Sequence, residues 1–247
     1  MDKQSLRERI WDDLEASGEA RFPFPPHGRI PNFAGADAAC DRLAATDEWA
    51  DAAVLKCNPD APQLPVRRAA LRAGKTVYVA VPRLREEHPF LRLAPDEVPD
   101  VDDATTVSGA SKHGVPVGPD EVPDVDLVVS GSVAVTPDGG RVGKGEGFAD
   151  LEFAVLSELG AVGDWTTVAS TVHERQVVDA DADVDAAGDV ELDSHDVPLD
   201  LICTPERTIR PDSAAKPPRP GGVDWDALPD EKLAEIPVLQ RLHPGDG

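Results

Sequence analysis

The segment LVVSGSVAV at 127–135 limits the possible folds most strongly, because it is apolar at both odd and even positions. A strand with this pattern must be covered on both faces, as inner strands of parallel sheets are. Upstream, a strand pattern at 52–58, a helix pattern at 66–75 closed by Gly74, and a strand pattern at 76–82 follow one another. That order predicts a right-handed crossover between parallel strands, and therefore an α/β protein.

The remaining pattern extends this architecture on both sides. Apolar residues at helical spacing predict helices at 2–16, 35–45, 149–160 and 230–242, and short apolar runs predict strands at 166–173 and 198–205. The polar stretch 94–126 and the acidic run 179–196 are predicted to be loops. We expect an α/β domain over residues 1–210. Residues 211–247 are expected to form a Pro/Gly-rich linker and a short helix, interrupted at Pro237, that docks back or mediates a contact.

The charge balance excludes several classes of partner. There are 47 acidic and 24 basic residues, which gives a formal net charge of −23. Such a chain repels nucleic acid and anionic membranes, because binding to either depends on Lys and Arg. Lysine is scarce, and acid spread over the entire chain favours a halophilic protein in concentrated salt; a specific acidic interaction face is the alternative. Three cysteines without C-x-x-C spacing, and no apolar run long enough to cross a bilayer, predict a cytoplasmic location.

The strongest local signal for a ligand site is GGRVGKGEGFADLE at 139–152, which lies between the apolar segment and a helix. Glycines 143, 145 and 147 permit positive φ, so backbone N–H groups can surround an anion, and the next helix adds its positive N-terminal end. Arg141 and Lys144 are placed to contact phosphate, and Asp150 to hold Mg²⁺. The spacing matches neither a Walker A motif nor the dinucleotide fingerprint, and a purely structural turn is the alternative interpretation.

Lys3 and Arg7 provide a second group of cations. They lie one turn apart on the first predicted helix, so their charged ends can reach the same place. A solvated helix face is the alternative for this pair. Arg29 and Arg83 follow Gly28 and Pro82 in loops, where either an anionic ligand or surface ion pairs are compatible with the sequence.

Taken together, these motifs resemble the 5-formyltetrahydrofolate cyclo-ligase family, also called methenyltetrahydrofolate synthetases. The resemblance covers most of the chain up to about residue 210. Within the family, the chain is similar to a divergent branch, the methenyltetrahydrofolate-synthase-domain proteins. The segments that carry it are KQSLR at 3–7, GKTVYVAVPRL at 74–84, VDLVVSGSVAVTPDGGRVGKGEGFADLE at 125–152, VHERQVV at 172–178 and HDVPLDLICTP at 195–205.

The resemblance implies a three-layer α/β/α fold with a mainly parallel, Rossmann-like sheet, and a cleft for ATP and Mg²⁺. Enzymes of this family phosphorylate the formyl oxygen of 5-formyltetrahydrofolate, and N10 then closes the ring to 5,10-methenyltetrahydrofolate. The residues expected to act here fall into two groups. The phosphates are assigned to Lys3, Arg7, Arg141, Gly143, Lys144, Gly145 and Gly147, of which Lys3 and Arg141 are also the catalytic candidates. Magnesium is assigned to Asp150 and Asp196.

The substrate half departs from the family pattern. The glycine motif ends Gly147-Phe148-Ala149-Asp150, so a family tyrosine near the substrate is replaced by Ala149. The family's pterin-binding glutamate corresponds to the loop 58–63, where Asp60 offers the nearby carboxylate and Gln63 an amide. Asp60, Gln63 and Phe148 are therefore the candidate substrate contacts. A reduced folate is the expected small-molecule substrate, bound by a monomer or homodimer, while an ATP- or folate-binding regulatory module and a ligase for another substrate are the alternatives.

Overall fold

The computed structural model describes residues 2–178, 193–214 and 216–245, and all structural statements below concern these residues. Most of the predicted acidic loop 179–196 therefore lies outside the described residues. The helices, in chain order, are α1 Lys3–Ala16, α2 Ala36–Ala44, α3 Asp47–Asp51, α4 Leu64–Arg72, α5 Val101–Ala104, α6 Val107–His113, α7 Phe148–Glu158, α8 Asp230–Glu235 and α9 Pro237–Leu242. The strands are β1 Ala20–Arg21, β2 Asn32–Phe33, β3 Val54–Cys57, β4 Thr76–Ala80, β5 Phe90–Leu93, β6 Val115–Val117, β7 Leu127–Val129, β8 Ala134–Val135, β9 Arg141–Val142, β10 Thr167–Thr171, β11 Leu201–Cys203 and β12 Thr208–Ile209.

The main sheet has eight strands in the order β12-β11-β10-β7-β3-β4-β5-β6. Its five central strands, from β11 to β4, are parallel to one another. The outer strands β12, β5 and β6 pair antiparallel. The predicted α/β fold with a mainly parallel sheet is thus confirmed, and the antiparallel edges are an addition to it.

The alternation within β7 shows why both faces of this sheet are covered. Val128 packs into the apolar cluster that contains α7, whereas Leu127 and Val129 pack into the cluster that contains α2 and α4. All three side chains are at most 2% exposed. An inner strand that is apolar on both faces therefore lies between two helical layers, as the sequence pattern predicts.

The prediction of one continuous strand over 127–135 is wrong. The chain leaves the main sheet after Val129, and the N–H of Gly131 donates to Asn58 Oδ1 at 3.0 Å. The hydroxyls of Ser132 and Ser170 then form a buried hydrogen bond of 2.7 Å. Strand β8 belongs to a separate hairpin with β9. The N–H of Ser130 still donates to Ala169 of β10 at 2.9 Å, whereas Gly131 and Ser132 bond to side chains outside the ladder, and this divides the strand.

The prediction of a loop over 94–126 is also wrong, since this stretch contains α5, α6 and β6. The two helices are short, and side-chain caps stabilise their N-termini. Asp100 accepts from the N–H of Asp103 at 3.0 Å, and Thr106 accepts from the N–H of Gly109 at 2.9 Å. Capping oxygens of this type accept hydrogen bonds from N–H groups in the first turn, which have no partner within the helix. Such short helices form without a long apolar repeat, so a search for apolar spacing does not detect them.

The C-terminal segment docks on the domain, one of the two outcomes expected from its sequence. Ile236, Val238 and Leu239 are at most 2% exposed and belong to the same apolar cluster as α7. The helix predicted over 230–242 is divided at Ile236 and Pro237 into α8 and α9, because proline cannot continue a helix. Among the described residues, no helix has the length and apolar character required to cross a membrane.

Candidate active site

A cavity of about 330 Å³ opens where the parallel strands β3, β4 and β7 end. The segments that follow these strands, at 58–60, 81–83 and 131, form one side, and the segment from β9 into α7 forms the other. In open α/β sheets, ligands bind in the crevice beyond the carboxyl ends of the strands. Of the residues predicted from sequence, those that line the cavity are Asp60, Arg83, Arg141, Gly143, Lys144, Gly147, Phe148 and Asp150.

The glycine turn, residues 143–147, joins β9 to α7. Gly145 and Gly147 have φ values of +102° and +70°, which L-residues with side chains rarely adopt. Among the described residues, the N–H groups of residues 143–147 donate to no protein acceptor. Gly147 is also the N-cap of α7 and supplies no side-chain cap. Five consecutive free N–H groups before a helix N-terminus suit an anionic ligand.

Helix α1 lies against this turn. Its buried residues Leu6, Ile10 and Leu14 share an apolar cluster with residues of the β8–β9 hairpin. This packing brings Arg7 to the turn, where its Nε donates to the carbonyl of Gly143 at 2.7 Å. The guanidinium carbon of Arg7 is 3.3 Å from the position a Cβ would take on Gly145. Burial lowers the pKa of Arg7, and glycine at 145 leaves space for the side chain.

Lys3, one turn earlier on α1, contacts the segment before β11. Its Nζ donates to Asp193 Oδ2 at 2.7 Å and to Asp196 Oδ2 at 2.5 Å. Burial opposes the charge on Lys3, but the two hydrogen bonds to carboxylates outweigh it and raise the pKa. Lys3 is therefore a fixed cation beside Asp196. The structure thus brings the predicted cations of α1 to the turn and to one of the two predicted magnesium ligands.

Arg141 and Asp150 form a buried ion pair below the turn, with Arg141 only 2% exposed. The Arg141 guanidinium also donates to the carbonyl of Gly131 at 3.0 Å, and Asp150 Oδ1 accepts from the N–H of Val197 at 3.0 Å. Burial alone would raise the pKa of Asp150, but the charge of Arg141 lowers it. Asp150 is therefore held as a carboxylate at the N-terminus of α7.

The carboxylates near the turn fit a divalent cation in their donor chemistry. Asp150 Oδ2 and Asp196 Oδ1 accept no hydrogen bond from the described residues, so each aspartate retains one oxygen for a ligand. Asp193, His195 and Asp196 form a further group whose ligand atoms lie within 4.8 Å of one another. Magnesium prefers carboxylate oxygens and retains several waters, so two free carboxylate oxygens suffice for its protein ligands.

The remaining candidates differ in their access to the cavity. Lys144 pairs with Glu146 at 2.7 Å and is half-buried. Asp60 and Phe148 line the cavity, and burial raises the pKa of Asp60. Gln63 does not line it; the side chain is fully buried, and its two amide atoms have no hydrogen-bond partner among the described residues. The assignment of all three to the substrate stays a prediction.

Sequence reasoning missed another carboxylate in the cavity, Glu152. It lies on α7 and forms a buried ion pair with Lys56 of β3, and its Oε2 also accepts from Asn58 Nδ2 at 3.0 Å. Glu152 is 5% exposed and Lys56 1%. A signal was available in the sequence, because Asp150 and Glu152 are acidic residues inside an otherwise apolar helix pattern, and Lys56 interrupts an apolar strand.

Comparison with known proteins identifies the family of the chain. The 5-formyltetrahydrofolate cyclo-ligase family model matches residues 1–205. The methenyltetrahydrofolate synthase domain-containing proteins of Mus musculus and Danio rerio are 42% and 40% identical to this chain over 244 residues, which is 98% of the chain. The chain spans 63% and 61% of the length of these two relatives.

The fold comparison gives the same result at greater evolutionary distance. The solution structure of Aquifex aeolicus 5,10-methenyltetrahydrofolate synthetase superposes with a TM-score of 0.52 at 16% identity. The superposition covers 92% of this chain and 99% of the other. The similarity therefore concerns the fold alone. With the family model matched from the first residue to residue 205, the chain belongs to the 5-formyltetrahydrofolate cyclo-ligase family.

Proposed function

We propose that the chain is an ATP- and Mg²⁺-dependent ligase that converts 5-formyltetrahydrofolate to 5,10-methenyltetrahydrofolate in one-carbon metabolism. The observation that carries this proposal is the glycine turn with five free N–H groups, contacted by Arg7 of α1, in a chain of the cyclo-ligase family. Phosphoryl transfer depends mainly on positioned positive charge and metal, with little covalent participation by the protein. The cations around the turn supply such charge, and Asp150 and Asp196 are the proposed ligands of the metal.

The proposed phosphate site consists of the turn N–H groups and the cations around them. Lys144 lies in the turn and Arg7 contacts its backbone, so both are within reach of an anion bound there. Lys3 and Arg141 are fixed by aspartates and supply positive charge that does not have to reorganise during the reaction. These cations also offset the repulsion between a polyanion and a chain of net charge −23.

Asp150 and Asp196 are the residues that would hold magnesium, through the carboxylate oxygens that the described residues leave free. When bound, the ion neutralises negative charge on the phosphate oxygens. Asp150 is suited to this task because Arg141 and the N–H of Val197 hold its other oxygen, which fixes the orientation of the carboxylate.

The cavity beyond the strand ends is the proposed site of the folate. Asp60, Glu152 and Asn58 supply polar groups, and Ile30 and Phe148 supply apolar surface for a ring system. In the family reaction, the formyl oxygen accepts the γ-phosphoryl group of ATP and ADP is released. Attack by N10 on the formyl carbon then closes the ring, and phosphate leaves with the former formyl oxygen. Binding the formyl oxygen beside Lys144 at the turn would place it next to the phosphates.

The direct test follows the absorbance of the methenyl product in a mixture of protein, ATP, Mg²⁺ and 5-formyltetrahydrofolate in high salt. Lys144→Met should lower kcat/KM by about ten- to one hundredfold, since a hydrogen bond to a charged group is worth about 1.5–3 kcal/mol. The matched control is Lys112→Met, because Lys112 is exposed and pairs with Asp103 on α5. Folded protein that gives no absorbance rise would exclude the proposed reaction.

A second candidate is a binding or regulatory module that retains the nucleotide site without the chemistry. Ala149 lines the cavity where the family has a tyrosine, and Gln63 is buried away from it. A pocket that loses hydrogen-bond partners discriminates strongly against its former ligand. Thermal stabilisation by ATP-Mg²⁺ without an effect of reduced folates would favour this candidate, and ATP hydrolysis dependent on another small molecule would favour a ligase with a different substrate.

We also propose a setting for the activity. The acid is distributed over the whole chain, as suits a salt-rich cytoplasm, and a monomer or homodimer without nucleic-acid or membrane partners is compatible with the charge of −23. Measurement of Tm as a function of KCl concentration tests this setting. A Tm that does not increase with salt would argue against adaptation to concentrated salt.

A further inference from the structure

The tail, residues 206–214 and 216–245, lies beyond the segment matched by the family model and is packed against the ligand site. Arg219 pairs with Asp200 and donates to the carbonyl of Thr166 at 2.8 Å. The N–H of Val223 donates to Glu158 at the end of α7 at 3.2 Å. Together with the buried residues of α9, these contacts hold the tail along α7.

Lys232 of α8 is the tail residue that contacts the glycine turn. Its Nζ donates to the carbonyl of Glu146 at 2.8 Å and lies 5.2 Å from the centre of the Phe148 ring. The same atom is 3.2 Å from the position a Cβ would take on Gly147. An ammonium group has three N–H donors, and one is used here, so two remain for a ligand at the turn.

The tail also encloses a second cavity, of about 220 Å³, on the other side of the turn. Its apolar wall comes from α7 and the tail, through Leu151, Ala154, Val223, Leu228 and Pro229. Gly147 and Asp150 line both this cavity and the larger one, and Lys232 lies at its edge. A cavity with an apolar wall therefore adjoins the glycine turn and a cation, while Asp150, His195 and Asp224 supply its polar lining.

We propose that the tail completes the nucleotide site, with Lys232 binding phosphate at the glycine turn and the second cavity receiving the nucleoside joined to that phosphate. A nucleotide matches this arrangement, because it joins a largely apolar aromatic base to a polyanion. The larger cavity, which contains Asp60 and Glu152, then remains for the second substrate. The proposal rests on the proposed ATP-dependent function and adds to it a segment that lies outside the family match.

The competing explanation is that Lys232 only fastens α8 to the turn through the Glu146 carbonyl. A fastening role affects the stability of the free protein, whereas a ligand role affects nucleotide affinity. Lysine 216 provides a matched control, because it is the other lysine of the described tail and pairs with Asp200, which retains Arg219 as a partner.

The experiment is titration calorimetry of full-length protein with ATP-Mg²⁺ in high salt. Lys232→Met should raise the Kd at least about tenfold, or about 1.4 kcal/mol, whereas Lys232→Arg and Lys216→Met should bind nearly as tightly as wild type. Ala227→Trp, at an exposed position lining the second cavity, should weaken ATP binding but leave inorganic triphosphate binding unchanged. Ala234→Trp, on the exposed side of α8, is its control.

The outcomes separate this inference from the proposed function. Wild-type protein that does not bind ATP-Mg²⁺ would refute both. If wild-type protein binds ATP-Mg²⁺ and Lys232→Met leaves the Kd unchanged, or Lys216→Met raises the Kd equally, the proposed role of the tail is refuted. The proposed function would not be affected by either result. A lower Tm of the free Lys232→Met protein with unchanged Kd would identify Lys232 as a fastening residue and would also overturn the inference.

Discussion

The buried pair of Lys56 and Glu152 allows a quantitative prediction about what supports the cavity. Lys56→Met retains most of the side-chain volume, so the cost of a packing defect is small. It leaves the Glu152 carboxylate, 5% exposed, with Asn58 Nδ2 as its remaining side-chain donor among the described residues. Breaking a buried ion pair by removing one partner costs about 3–5 kcal/mol. Because Asn58 still donates a hydrogen bond to Glu152, we expect the free energy of unfolding to fall by about 3 kcal/mol, near the lower end of this range.

A double-mutant cycle tests this value. Glu152→Gln keeps an acceptor for Asn58 but removes the charge, so the single variant leaves an unpaired buried ammonium and should cost about as much as Lys56→Met. The double variant Lys56→Met with Glu152→Gln contains neither charge. Its loss in free energy of unfolding should be smaller than the sum of the losses of the two single variants. The difference should be about 2 kcal/mol or more, within the range of measured coupling energies.

The assay is urea unfolding at low and high KCl, with urea chosen because guanidinium is itself a salt. Arg72→Met is the control, since Arg72 and Asp102 form an exposed pair at 2.8 Å worth at most about 1 kcal/mol. High KCl should abolish the small loss of unfolding free energy caused by Arg72→Met. It should leave the loss caused by Lys56→Met, because salt screens a buried pair less. The reasoning would be refuted if the stability losses of the two single variants added up to that of the double variant. It would also be refuted if Lys56→Met destabilised the protein as little as Arg72→Met does.

Three further predictions follow from other residues of the site. Gly147→Ala should lower the free energy of unfolding by about 1–2 kcal/mol, because φ is +70° there, and Gly143→Ala, without positive φ, should cost less in the same urea assay. Burial raises the pKa of Asp60 above 3.8, so the folded state keeps this proton to a higher pH than the unfolded state, and stability falls as the pH rises from 3.8 through the raised pKa. Asp60→Asn should remove this contribution to the fall in Tm when Tm is measured over a pH series. A pH dependence of Tm identical to that of wild type would contradict the assignment. Ala149→Tyr should lower the Kd for 5-formyltetrahydrofolate in a calorimetric titration if the cavity binds folate, and no change would favour another substrate.

The parts of the fold that the sequence predicted are those with strong local patterns. Helix α1 was predicted from Leu6, Ile10 and Leu14, and the inner strands from apolar runs, because burial on one or both faces imposes a spacing on the residues themselves. The stretch 94–126 was not predicted, since caps such as Thr106 stabilise its short helices rather than an apolar stripe. The division of 127–135 depends on partners distant in sequence, Asn58 and Ser170, which a local pattern does not contain.

The candidate site shows the same contrast between local and distant information. The glycine turn was evident from its own residues and Arg7 contacts it, while the assignment of both to phosphate stays a prediction. Glu152 and Lys232 were missed. The position of Glu152 in an apolar helix pattern was a signal, but its partner Lys56 is set by the packing of α7 against β3. Lys232 was missed because the tail was expected to be a linker and a terminal helix. Both residues depend on contacts that span more than 80 positions in the sequence.

The distribution of lysine bears on the proposed binding of a polyanion by so acidic a chain. Of its seven lysines, Lys144 and Lys232 lie at the glycine turn, Lys3 pairs with Asp196, and Lys56 pairs with the cavity carboxylate Glu152. In concentrated salt, exposed charges act over only about 3 Å at 1 M, so a ligand cannot be attracted from a distance. Affinity must then come from cations in direct contact with the ligand and held by packing. Retaining lysine at these few positions while acidic residues cover the rest of the chain satisfies that requirement.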